Sequence, residues 1–167
     1  EATYARFVPK KYINGEEFRY LGAPYRLAIV EDSVHTLRLS DHFYLSRAKL
    51  ANAEKVFTGW YRSQAKKVIT GRVKAYADQY GFKYNKVNIT SAQTRWGSCS
   101  SQGSLNFSWR LIMAPLPVID YVVVHELVHL NEKNHSRRFW GKVKDILPGY
   151  SQQVQWLRVN GHTLRLA

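Results

Sequence analysis

The sequence has a single cysteine, Cys99, so no internal disulfide can form. A lone thiol fits a reducing compartment, which makes a cytoplasmic location the expectation. No apolar run approaches the roughly 18 residues of a membrane span, and no leader of charged, apolar and small residues precedes the first domain-like stretch. Neither a membrane association nor a secreted form is expected. Repeats, linkers and low-complexity segments are also missing. Acidic residues are scarce, with 12 Asp and Glu against 25 Lys and Arg, a net charge of +13. What is present is 167 residues, 45% of them hydrophobic, including 23 aromatic side chains. That composition excludes a disordered chain and suits one domain over residues 1–167 with a real core.

The charge is spread along the chain, +7 over residues 1–83 and +6 over 84–167. It points to an anionic partner, nucleic acid first, although an evenly basic surface also serves solubility alone. Texture changes near residue 50. Before it, runs with period-two alternation (Phe18–Leu21, Tyr25–Val30, Val34–Leu39, Phe43–Leu45) are separated by turn signals, and Asn14-Gly15 predicts a tight turn. Residues 1–50 therefore read as a β-rich antiparallel meander, and 51–167 as a helical, catalytic part. From about Ala51 to Gln79, Phe57, Tyr61, Ala65, Val68, Ile69, Val73, Tyr76 and Tyr80 form a helical stripe ending near Gly81. Lys55, Arg62, Lys66, Lys67 and Lys74 lie mostly off the stripe, on a face open to either phosphates or solvent. Short strands are predicted at Val87–Ile89 and Leu105–Trp109, and smaller helices between Ser136 and Asn160.

Three of the six histidines fall within His125-Glu126-Leu127-Val128-His129-Leu130-Asn131-Glu132-Lys133-Asn134-His135. Pro115, Pro117 and Asp120 suit the entrance of a helix from about Pro117 to Asn131, with Asp120 in its first turn. On it His125 and His129 are one turn apart and can grip one metal ion. Glu126 is displaced by about 100° around the axis, beside the ion, where a general base belongs. His135 can complete the set if the helix stops and the chain doubles back, with Asn131 or Asn134 in a left-handed conformation. Three imidazoles and one water form the open set of catalytic zinc, whereas a structural site is closed by a fourth protein ligand.

The stretch from Arg95-Trp96-Gly97-Ser98-Cys99-Ser100 through Leu105-Asn106-Phe107-Ser108-Trp109-Arg110 to the HELVHLNEKNHSRRFW run ending at Trp140 resembles the YgjP-like metallopeptidase family, which is similar to the SprT and WLM groups. Weaker likeness at Gly15-Glu16 and Tyr20-Leu21-Gly22 extends it over most of the chain. The resemblance implies an α+β fold: the meander, the long amphipathic helix, a small sheet, and a zincin-like active-site helix followed by C-terminal helices. It implies a zinc peptidase with one Zn2+ per chain on His125, His129 and His135, and Glu126 as catalytic base. With zinc bound, Glu126 would take the proton of the activated water and pass it to the leaving amine. Glu132 stands where metzincins place a glycine, so their turn is not assumed.

Arg95 and Asn106 are the candidate substrate-binding residues. Arg95 can meet a carbonyl or carboxylate, and the Leu105–Trp109 strand carrying Asn106 is either a core strand or a sheet edge on which an extended peptide pairs. Phe139 and Trp140 are expected to pack a following helix on the metal helix, and Tyr150 and His162 are candidate oxyanion donors. Cys99 reads as a small buried residue or a neighbour of the metal. His35 and His42 read as surface or strand residues. The leading expectation is peptide-bond hydrolysis. The alternative is a nucleic-acid-associated module with a structural metal, or a protease of DNA-bound proteins.

Overall fold

A computed structural model describes residues 3–32 and 34–167. It is α+β, with two small mixed sheets and four helices. Strand β1 (Glu17–Tyr20) turns into β2 (Ala23–Val30) through Leu21-Gly22, both at positive φ (50° and 83°), as a two-residue hairpin of type I′ demands. Glycine takes this conformation freely; Leu21 is held there because its N–H donates to the Ile112 carbonyl and that of Gly22 to Met113. The turn at Asn14-Gly15 forms as the sequence predicts, and the Asn14 side chain accepts from the Ile29 N–H.

Strands β3 (Leu37–Leu39) and β4 (Phe43–Ser46) complete the first sheet in the order β1-β2-β4-β3. The expectation of a purely antiparallel meander is corrected here: β4 inserts between β2 and β3 and runs parallel to β2, with Leu27 opposite Phe43 and Ile29 opposite Leu45. Period-two alternation reports which face of a strand is buried and is silent on its neighbour. The insertion brings Phe43 and Leu45, both fully buried, beside Leu27 and Phe18 over helix α1 (Ala53–Tyr80).

Helix α1 buries Phe57, Tyr61, Ala65, Ile69, Val73 and Ala77 and ends on Gly81 at φ 75°. The small second sheet follows, β5 (Lys86–Thr90), β6 (Gly97–Cys99) and β7 (Ser104–Ser108) in the order β5-β7-β6, with β5 parallel and β6 antiparallel to β7. Strand β7 is therefore the centre of the sheet: of the two readings of Leu105–Trp109, the core strand holds, and β6 forms an edge.

Helix α2 (Leu116–His129) is apolar on nearly every side because it runs through the core, with Val118, Ile119, Val123, Val124, Leu127 and Val128 fully buried. Burial overrides the low helix propensity of its valines. Asp120 lies beyond the first turn and does not complement the helix dipole as predicted. Its carboxylate accepts two 2.7 Å hydrogen bonds from Arg72 of α1 and one from the Tyr76 hydroxyl, tying the two helices together. Helices α3 (Arg137–Ile146) and α4 (Tyr150–Asn160) pack on α2, and Ser136 caps α3 by accepting from the Phe139 N–H. Among the described residues no helix is long and apolar enough to cross a membrane.

Candidate metal centre

The last turn of α2 carries His125, Glu126 and His129, and the loop to α3 returns His135 to them. Neither Asn131 nor Asn134 takes the left-handed conformation expected of this turn. The helix tightens instead, with N–H groups of Leu130 and Asn131 donating to the carbonyls of Leu127 and Val128. Glu132 then holds the loop: its carboxylate meets Arg138 and Lys142, both at 2.9 Å, and its carbonyl accepts from His129 Nδ1 at 2.9 Å. The hydrogen bond from Lys142 draws the Glu132 carboxyl below the usual range, with the charges of Lys142 and Arg138 acting in the same direction.

The three imidazoles converge through their Nε2 atoms. His135 Nε2 lies 3.0 Å from His129 Nε2 and 3.2 Å from His125 Nε2, and the three donor atoms lie within 4.8 Å of one another. A carbonyl can only accept, so His129 carries its proton on Nδ1. His125 Nδ1 lies 3.0 Å from the Glu126 carboxylate, which assigns its proton there too. Both rings thus aim an Nε2 lone pair at the third histidine. With His135 protonated on Nδ1 as well, three lone pairs would meet, an arrangement that a shared divalent cation could satisfy. Zinc–nitrogen bonds of about 2.0–2.1 Å in a tetrahedron set the nitrogens roughly 3.3–3.4 Å apart, close to the two separations from His135. Burial, and then the neighbouring His125 and His129, lowers the pKa of His135, which favours the neutral, ligating form.

Aromatic rings surround the imidazoles. Phe139, fully buried, lies under all three, with ring centroids 5.0, 4.4 and 4.9 Å from His125, His129 and His135. A stack of Tyr121, Tyr150, Trp140 and His135 runs along one side. Burial first, then Glu126, pushes the Tyr121 hydroxyl up to about 12, so it stays protonated.

Glu126 is only 4% exposed. Strand β6 presses against it: a Cβ on Gly97 would come within 3.0 Å of Glu126 Cγ and 3.1 Å of Oε2. A glycine inside a strand often marks such a close approach, and this is the signal by which β6 was identifiable as a wall of the site. The carbonyl of Trp96 and the N–H of Ser100 bond to β7. By alternation, the N–H and C=O groups of Gly97 and Cys99 point the other way, to the free edge. A cleft of about 830 Å³ opens there, with β6 and the Ser100–Gly103 turn on one side and Asn131, Lys133 and His135 on the other. Arg95 lines it. A smaller hollow of about 240 Å³ behind Glu126 and His125 is lined by Trp96, Tyr121, Val154 and Leu157, none singled out for this role by the sequence.

Other predicted residues are elsewhere. Asn106 is outside the cleft lining, its amide bonded to Asn88 and Ser98 in a polar ladder across the second sheet. His162 meets the Ala5 carbonyl. His35 and His42 pair with Asp32 and Asp41. Cys99 is half-buried and lines the cleft; burial and then Glu126 raise its thiol pKa.

The sequence matches the family description "YgjP-like, metallopeptidase domain" over residues 1–160. The chain belongs to the YgjP-like metallopeptidase family. As a YgjP-like protein it is a peptidase, a hydrolase acting on peptide or protein substrates with a metal. No curated protein matches the chain. Among solved structures it is similar to the metallopeptidase zymogen abylysin of Pyrococcus abyssi, at 21% identity over 58% of this chain and 96% of that one, with a TM-score of 0.49. It is also similar to the zymogen jannalysin of Methanocaldococcus jannaschii, at 16% identity over 56% and 94%, with a TM-score of 0.47.

Proposed function

We propose that this YgjP-like protein hydrolyses peptide bonds with one zinc ion per chain, held by His125, His129 and His135, and with Glu126 as general base. The reading rests on the convergence of three Nε2 atoms, with the rings of His129 and His125 fixed from behind by the Glu132 carbonyl and the Glu126 carboxylate. When bound, zinc would supply Lewis acidity and lower the pKa of a coordinated water to about 7. Glu126, buried on the same helix as His125 and His129, takes a proton from the attacking water and delivers it to the leaving amine. The free groups of Gly97 and Cys99 pair with an extended peptide and align its scissile bond along the cleft. Residues 1–167 act as one domain in this reading, since the buried core draws on both sheets and on helices α1, α2 and α3. The lone Cys99 fits a reducing, cytoplasmic setting.

Metal analysis and peptide cleavage test the proposal. One zinc per chain and cleavage abolished by a chelator are expected. Glu126→Gln should retain zinc and lose at least about 100-fold in kcat, the lower end of what general-base catalysis contributes; full turnover in that variant would overturn the assignment.

A further inference from the structure

The cleft is basic beyond what its chemistry requires. Lys83, Arg95 and Lys133 line it, each from a different segment: the loop after α1, the approach to β6 and the loop after α2. Among the described residues none of the three is in an ion pair, a state they share with most cations of this basic chain, such as Lys55, Lys66 and Lys67; what sets them apart is that they gather around one concavity. The one carboxylate in the cleft lining is Glu126, already facing His125 Nδ1. Three uncompensated cations around a concave, partly desolvated surface focus a positive potential into it.

We propose that the cleft selects peptides carrying Asp or Glu on the residues flanking the scissile bond, with Lys83, Arg95 and Lys133 as the specificity-determining cations. The proposal rests on the peptidase reading above. Peptide fits the cleft better than nucleic acid does, because β6 offers free backbone groups at its edge and the lining contains no Phe, Tyr or Trp on which bases could stack.

The test uses fluorescent peptides of one length with Glu, Ala or Lys at the flanking positions. Binding is read by anisotropy on zinc-loaded Glu126→Gln and cleavage by kcat/KM on the wild-type enzyme. At low salt the Glu peptide should bind about tenfold tighter than the Ala peptide, each exposed pair contributing modestly. The gap should shrink as ionic strength shortens the screening length to about 8 Å. Adding Lys83→Glu, Arg95→Glu and Lys133→Glu together should reverse the order; the triple alanine variant, which should erase it, serves if the reversal variant melts early. Equal binding of the three peptides, or a preference that survives both triple variants in folded protein, overturns the proposal. Cleavage without acidic preference would leave the peptidase reading standing and sink the selectivity. Acidic preference in binding with no cleavage of any peptide would do the opposite. Displacement of the Glu peptide by a short single-stranded oligonucleotide, at lower concentration than by unlabelled peptide, would assign the cleft to nucleic acid and overturn the proposal.

Discussion

Two aromatic clusters use the same side chains for different ends. Phe18, Phe43, Phe57 and Tyr61 are at most 1% exposed and meet one another and Trp60, with Phe18 stacked on Phe57 at 4.3 Å. The one polar atom among them, the Tyr61 hydroxyl, donates to the Arg19 carbonyl. Tyr12 packs on Phe18 and Phe57 at the margin of this cluster, its hydroxyl buried without a partner among the described residues. Around the histidines, Tyr121, Phe139 and Trp140 turn their rings toward imidazoles and Tyr150 stacks between Tyr121 and Trp140, with Trp140 and Tyr150 keeping part of their surface open. In the first cluster the area removed from water stabilises the fold; in the second, ring shape sets the angle of the three imidazoles. Aromatic content alone cannot tell these roles apart. What each ring faces can.

The contrast can be broken by substitution. Phe43→Ala should cost roughly 3–5 kcal/mol of stability, as buried phenylalanine deletions do, yet leave one zinc per chain; urea unfolding with metal analysis checks both. Zinc loss in that folded variant would merge the two clusters into one. Gly97→Ala acts in the site alone. Its new methyl meets Glu126 and Val122 at 3.0–3.1 Å, and if Glu126 is the base proposed above, displacing it by about an ångström costs on the order of 100-fold in rate. Steady-state kinetics should show kcat falling with zinc content unchanged. Phe139→Leu keeps most of the buried volume, so stability should fall by less than about 1.5 kcal/mol. Zinc affinity should fall by about tenfold, as for other groups that support ligands from behind, and competition with a chromophoric chelator measures it. The smallest effect concerns Cys99. Its raised pKa keeps the thiol protonated at neutral pH, so alkylation should be slower than for a free thiol and should accelerate only at higher pH than usual.

Much of this contrast was legible in the order of residues. The stripe from Phe57 to Val73 marks the buried face of α1 by its period, and the spacing of His125, Glu126 and His129 places them together on one helix. His135 was reachable from spacing alone. The parallel pairing of β2 with β4 was not, because two half-buried strands of the same alternation fit either direction. Strand β6 has three residues, too short for periodicity, and only Gly97 hints at its closeness to Glu126. Asn106 looked free to bind substrate because the side-chain bridge from Asn88 through it to Ser98 joins residues distant in sequence. The turn before His135 was misassigned to a left-handed asparagine because the Glu132 anchor depends on Arg138 and Lys142, one helix further on.

The hairpin tip at Leu21-Gly22 bears on how the molecule assembles. Its two N–H groups bond to Ile112 and Met113, and a Cβ on Gly22 would strike Pro115, the residue that launches α2. The histidines themselves sit within one short stretch and can find each other early, whereas the footing of their helix waits for a contact between opposite halves of the chain. Such long-range closure is slow compared with helix formation. The hairpin contact therefore ties the footing of the histidine-bearing helix to closure between opposite halves of the chain.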